Sequence, residues 1–354
     1  MVTPSGDWAR LASALGARAV LDKPIGPLTT YGVGGPAALY VEIEGPEDLA
    51  LVRRVCQEEV ASSGTSVPPV FVLGRGSNLL VADEGFEGMV LHLGAGFAGI
   101  DLPAQGAQAP AAGRPAVVRA GAAVALPVLA RRVADAGWSG LSWAVGVPGS
   151  VGGAVRMNAG GHGSDMASCL VRYSWVDLFG DAGGTDDVDH LDYGYRSSAV
   201  AASQVVVAAE LSVTPGDAEQ EQAAVSAIVK WRREHQPGGS NAGSVFTNPE
   251  GDSAGRLIER AGLKGFRLGT AHVSEKHANF IQADKDGRAD DVHALMAHVR
   301  EVVAEHSGVV LVAEVRLLGF ADGKNGAVDG NGGDTGAAQS GAPQNPATQR
   351  GATQ

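Results

Sequence analysis

The chain has 354 residues, of which 44% are hydrophobic, with 27 Lys and Arg against 39 Asp and Glu and a formal net charge of −12. That length and apolar content suit two or three packed domains, and the acidity excludes a non-specific nucleic-acid binder, whose affinity comes from surplus cations on phosphates. Cys56 and Cys169 are the sole cysteines, which excludes a disulfide framework and a thiol-rich metal site. No stretch approaches the roughly 20 apolar residues of a membrane span, and the first ten residues lack a charged-then-apolar leader, so a cytoplasmic address with no membrane partner is expected. Glycine is in excess at 51 residues, so its distribution is informative.

In chain order, Pro46 opens a helix with Leu49, Val52, Cys56 and Val60 on one face and Glu47 and Asp48 in its first turn, where the helix dipole favours them. Val70–Leu73 reads as a short strand running into Gly74-Arg75-Gly76-Ser77-Asn78, and Val90–Leu93 as a second strand. Residues 104–114 read as an Ala/Gly/Pro surface loop, and Ala125–Ala136 as a helix stopped by Gly137. Strands at Val171–Leu178 and Val205–Val213 follow, the second leading into a helix with Val225, Ile228 and Val229 at helical spacing. Ser253–Ala261 and Asp290–His306 read as helices ending at Gly262 and Gly308, and Val309–Leu318 as a closing strand. From residue 321 the composition is too polar and glycine-rich to offset ordering entropy, and a disordered tail over 321–354 is expected. Interleaved strands and helices make the class α/β or α+β.

Two familiar patterns fail on context. Gly94-Ala95-Gly96-Phe97-Ala98-Gly99 matches the dinucleotide fingerprint, but Ile100-Asp101-Leu102-Pro103 puts a proline where the phosphate-facing helix should start. Gly251-Asp252-Ser253-Ala254-Gly255 matches the hydrolase nucleophile elbow, yet Asn248-Pro249-Glu250 precedes it in place of a strand, so Ser253 reads as a helix N-cap. The nine histidines form no metal-binding pattern, and His293 and His298 read as helix-surface residues. The turn Gly74–Leu79 offers backbone amides to phosphate oxygens, and the glycine-dense stretch Gly146–Gly163 reads as a loop against which a ligand lies. Glu314, inside an apolar run, is either on the solvated face of an edge strand or aimed into a site.

Taken in order, GRGSNLLV, VGVPGSVGGAVRMNAGGHGSDM, YRSS, RREHQP, NAGSVFTNP, LIERAGLKGFRLGTAHVSEKHANFI and VAEVRLLG resemble the UDP-N-acetylenolpyruvoylglucosamine reductases, also called UDP-N-acetylmuramate dehydrogenases. The likeness runs from Thr29 to Gly319, and the short spacing from NAGGHGSDM to YRSS is similar to the subtype that lacks an extra tyrosine-bearing loop. It implies an α+β FAD-binding fold of the vanillyl-alcohol-oxidase type. The expected units are 1–88 and 89–216 for FAD and 217–320 for substrate, with 309–319 open to a return into the FAD-binding part.

The resemblance also implies a chemistry. NADPH gives a hydride to non-covalent FAD, which passes it to the enolpyruvyl group of UDP-N-acetylglucosamine enolpyruvate. FAD would be held by Gly74, Arg75, Gly76, Ser77, Asn78 and Leu79, by Gly146, Pro148, Gly149, Ser150, Gly152 and Gly153, and by Asn158, Ala159, Gly160 and Gly163. Arg196 matches the arginine beside the substrate carboxylate, Ser244 the proton donor and Glu314 the acid that assists it. Tyr195, Arg233, Asn248, Lys264 and His277 match positions that touch the substrate. A monomer is expected. A sugar or alcohol oxidase on the same fold would need the flavin loops without Arg196, Ser244 and Glu314 together, and a catalytically silent flavin- or nucleotide-binding module would be yellow yet fail to bleach under NADPH without oxygen.

Overall fold

The structure, a computed structural model, describes residues 8–63, 67–104 and 116–321. Apart from Ala104 and Ala321, the expected surface loop and disordered tail lie outside the described residues.

The first unit is a four-stranded sheet. Pro36–Ile43 lies between antiparallel Ala19–Pro24 and parallel Phe86–Leu93, and Val70–Leu73 runs parallel on the far edge. Parallel neighbours need a crossover, which is supplied by helix α2 (Pro46–Ser63), while helix α1 (Trp8–Leu15) precedes the sheet. Leu49, Val52, Val55 and Cys56 of α2 are buried against the strands, as the apolar spacing requires. The first two strands were not anticipated: Ala19–Pro24 is largely exposed, and Pro36–Ile43, buried on both faces, has no clean alternation to read.

The second unit is antiparallel, in the order Gly183–Asp187, Leu170–Asp177, Gln204–Pro215, Ala116–Gly121, Ile100–Asp101. Helix α3 (Leu126–Asp135) buries Leu126, Leu129, Ala130 and Val133 beneath it. Helix α4 is Val151–Met157, and helix α5 (Ala218–His235) adds Val225 and Ile228 to the same core. Gly94–Gly99 holds only a 3-10 turn, Ala95–Phe97, so no helix N-terminus faces a diphosphate there.

The third unit packs helix α6 (Ala254–Arg260) and helix α7 (Ala289–Ser307) with an antiparallel sheet of Arg267–Leu268, Ala271–Val273 and Ile281–Ala283. Ser253 caps α6, its hydroxyl accepting from Arg256 N at 3.3 Å, and α7 ends at Gly308 in the left-handed region at φ +73°. His293 and His298 are not simple surface residues, since their rings stack on Phe320 and Phe266 at 4.3 and 4.7 Å.

The chain then returns to the first unit. Arg316–Leu318 pairs in parallel with Leu79–Val81, directly after the glycine turn. The strand expected over Val309–Leu318 is thus only three residues long. Val310 and Val312 are 64% and 63% exposed, and the preceding stretch forms no ladder, being held by an isolated bridge between Ala313 and Phe246 and by single hydrogen bonds such as Thr247 N to Val312 O at 2.9 Å. A second correction concerns Gly146–Gly163, read as a loop: Gly152 and Gly153 lie inside α4. A Cβ at Gly152 would stand 2.9 Å from that of Ala122, so close packing of the helix on its neighbour outweighs helix propensity.

Candidate active site

Two glycine-bearing segments approach each other at the end of the first sheet. Gly74–Leu79 leaves strand Val70–Leu73 directly, and Gly146–Ser150 joins the 3-10 turn Ser142–Gly146 to α4. Their contact depends on missing side chains, because a Cβ on Gly74 would stand 2.5 Å from Ser150 Oγ. Gly76 sits at φ +58°, and its carbonyl accepts from Thr30 N at 3.0 Å, which fixes the turn. Ser150 caps α4 by accepting from Gly153 N at 3.4 Å.

Beside these segments opens a cavity of ≈ 810 Å³. Of the residues expected at FAD, Gly74 through Leu79, Gly146, Pro148, Gly149, Ser150, Gly153, Ala159 and Gly160 line it. Gly152 does not, being packed on Ala122, and Gly163 is a turn residue at φ +86°. Asn158 is buried behind the wall, where its amide donates to Gly194 O at 3.0 Å and its Oδ1 accepts from Ala167 N at 2.9 Å.

Arg196, Ser244 and Glu314, far apart in the chain, line the same cavity together with Tyr195. Asn158 O and Gly160 O accept from Arg196 Nη1 and Nη2 at 3.3 and 2.9 Å, while Arg196 Nε donates to Glu314 Oε1 at 2.7 Å. A guanidinium has five N–H donors in a planar fork, so this leaves one on each terminal nitrogen for a ligand. Arg196 holds φ +54°, a conformation supported by the Gly194–Ser197 bridge, and its guanidinium lies 5.1 Å from the Tyr195 ring centre. The Glu314 side chain is only 13% exposed and lines the cavity, so it does not stand on a solvated edge face. Glu314 N donates to Val245 O at 2.8 Å, so its segment runs beside the one bearing Ser244.

Asn279 holds that second segment and was missed by the sequence reading. It is buried, its Oδ1 accepts from Phe246 N at 3.0 Å and its Nδ2 donates to Phe246 O at 2.8 Å. The signal was present in the matched stretch KHANF, but no chemistry attaches to an asparagine that only satisfies backbone.

The other expected substrate residues do not line the cavity. Asn248 Oδ1 accepts from Ala254 N at the start of α6, Lys264 Nζ pairs with Glu259 at 3.2 Å, and His277 packs on Phe280 with burial lowering its pKa. Arg233 is exposed, whereas its neighbour Arg232 reaches the cavity. Arg75, Arg156, Arg196, Arg232 and Arg316 line the cavity against one carboxylate, Glu314. Burial holds Arg232 and Arg316 below the usual arginine range, so an anion entering between these cations is favoured. Cys56 and Cys169 are buried thiols elsewhere, both pushed up to about 12 by burial.

The cavity fits FAD: it is roomy, its glycine walls leave space that a Cβ would fill, and its cations suit a diphosphate. The comparisons agree. Residues 37–181 match the family described as "FAD binding domain", and residues 235–318 match "UDP-N-acetylenolpyruvoylglucosamine reductase, C-terminal domain". The UDP-N-acetylenolpyruvoylglucosamine reductase of Heliobacterium modesticaldum is 41% identical over 315 residues, covering 88% of this chain and 93% of that one. The chain belongs to the UDP-N-acetylenolpyruvoylglucosamine reductase family. That of Synechococcus sp. (strain WH7803) is 42% identical over 304 residues, 84% of this chain and 92% of that one. The crystal structure of UDP-N-acetylenolpyruvylglucosamine reductase from Thermus caldophilus superposes with a TM-score of 0.69 at 34% identity, covering 84% of this chain and 97% of that one. Members of the family are FAD-dependent oxidoreductases of peptidoglycan-precursor synthesis, and the α+β FAD-binding fold and the cofactors FAD and NADPH follow for this chain.

Proposed function

We propose that this chain reduces UDP-N-acetylglucosamine enolpyruvate to UDP-N-acetylmuramate at the expense of NADPH, with Arg196, Ser244 and Glu314 as the residues that act on the enolpyruvyl group. When bound, FAD supplies hydride transfer from NADPH to the substrate double bond. Hydride at the methylene carbon leaves negative charge on the neighbouring carbon and its carboxylate, and the protein must stabilise that charge and deliver a proton. The observation that carries the reading is the Arg196 fork, anchored by Glu314 and two carbonyls with one N–H free on each terminal nitrogen. Those two donors match a carboxylate, and they strengthen as charge develops.

Ser244 is the proton donor in this reading. Serine is a weak acid, so its hydroxyl serves only a strongly basic carbon shielded from water, which a cavity wall provides. Glu314, beside it on the adjacent segment, assists the proton's return, and Tyr195 at the mouth contacts substrate. Arg232 takes the place of Arg233 as the cation near the substrate, and Asn248, Lys264 and His277 support the site from outside its walls. Two buried thiols support a reducing cytoplasm, and no described helix is long and apolar enough to cross a membrane.

Ser244→Ala tests the reading by separating the half-reactions. Bleaching of the flavin by NADPH under anaerobic stopped flow is expected to keep its rate, while reoxidation by the enolpyruvyl substrate slows by roughly 10²–10⁴-fold, the range for a positioned acid. Equal slowing of both would make Ser244 structural.

A further inference from the structure

A second, smaller cavity of ≈ 110 Å³ adjoins the first. The two have a wall in common, which includes Gly74, Arg75, Ser150, Gly153 and Arg156, along the line where Gly74 and Ser150 meet. Arg156 projects from the last turn of α4 at this junction. Its one hydrogen bond among the described residues runs from Nη1 to Ala201 O at 2.9 Å, which leaves four of its five donors, and no carboxylate there pairs with it. The charge beside it is another cation, Arg316, and burial together with that repulsion brings the Arg156 guanidinium down to about 10. Both arginines line the larger cavity, and repulsion between two guanidiniums is relieved when an anion lies between them.

We propose that Arg156 is a diphosphate anchor for FAD, binding the cofactor's anionic link where it passes between the two cavities. The inference rests on the FAD assignment. A dinucleotide that fills both spaces places its charged link at their common wall, where the glycine-bearing segments around Gly74 and Ser150 meet. The substrate also carries a diphosphate. The position of Arg156, on the wall of the smaller cavity and in the helix that Ser150 caps, favours the cofactor as its partner.

The test compares wild type, Arg156→Gln and Arg156→Lys as purified holoenzymes. FAD release on dilution is followed by the rise in its fluorescence, at several ionic strengths, and binding of UDP is followed by perturbation of the flavin spectrum. Arg156→Gln is expected to weaken FAD binding by about tenfold or more, the loss of one charge-assisted contact. Arg156→Lys should recover most of that affinity, the dependence of FAD release on salt should flatten in the Gln variant, and UDP affinity should not change. FAD retention equal to wild type would overturn the proposal, as would a loss confined to UDP, which would assign the arginine to the substrate. Equal loss in the Lys and Gln variants would also overturn it, because charge would then be irrelevant. A wild type that purifies without flavin would instead refute the FAD assignment itself.

Discussion

Arg196 shows what a single residue adds beyond its charge. Its Nε, Nη1 and Nη2 each have a fixed acceptor, Glu314, Asn158 O and Gly160 O, so the remaining donors are aimed before any ligand arrives. Lysine would keep the charge but not the planar fork, and its three donors could not meet the three fixed acceptors and a bidentate carboxylate together. Arg196→Lys is therefore expected to lower kcat/KM for the enolpyruvyl substrate by about 30–100-fold, equivalent to roughly 2–3 kcal/mol, with NADPH-driven flavin bleaching unchanged. Loss of both half-reactions together would mean that the arginine shapes the flavin site instead. Residues of this kind were legible in the sequence only through long motifs taken in order. Arg196 in YRSS and Glu314 in VAEVRLLG carry no local signature of a site, and Glu314 alone was compatible with a solvated edge. Arg156 and Arg316 were passed over because the first lay in a stretch read as a glycine-dense loop and the second in a closing strand, with no local pattern marking either as part of a site. Arg233 came from the resemblance, and that its neighbour Arg232 is the one lining the cavity is set by side-chain direction in the last turn of a helix, which the sequence does not give to one residue.

Helix α4 sets the two scales of evidence against each other. By composition its glycines argue against helix, each costing about 0.5–1 kcal/mol relative to alanine, and the sequence reading followed propensity. Packing decides otherwise, and it treats the adjacent glycines differently. A Cβ on Gly152 meets Ala122 at 2.9 Å, whereas one on Gly153 lies 3.4 Å from Ser150 Oγ and faces the cavity. Gly152→Ala is expected to lose about 1–3 kcal/mol to overpacking despite its better propensity, visible as a lower melting temperature of the holoenzyme. Gly153→Ala should melt at or above wild type when flavin-free, by up to about 1 kcal/mol, yet release FAD more readily because the methyl enters the cofactor's space. If both variants fell equally in stability, the distinction between a tightly packed glycine and one with room for a methyl would be wrong. Helix α7, with apolar periodicity and a clear stop, was readable within a residue at each end, and the start of α2 was marked by Pro46. The strand Pro36–Ile43, buried on both sides, was not, because period two disappears when neither face is polar.

At the scale of the whole molecule, two electrostatic fields oppose each other. The chain carries a net charge of −12, so a multiply anionic substrate or NADPH is repelled at a distance, while the five arginines in the cavity attract it at close range. The screening length separates the two, since it is about 30 Å at 0.01 M salt and about 10 Å at 0.1 M. Raising salt across that interval removes most of the distant repulsion and leaves contacts within a few ångströms largely intact. Further salt then weakens the arginine contacts themselves. For the enolpyruvyl substrate, kcat/KM is expected to rise a few-fold between about 0.01 and 0.1 M monovalent salt and to fall toward about 1 M, with the decline carried by KM. A monotonic fall from the lowest salt would show that the cavity's positive field reaches solvent unopposed, and the net charge would then have no part in substrate capture.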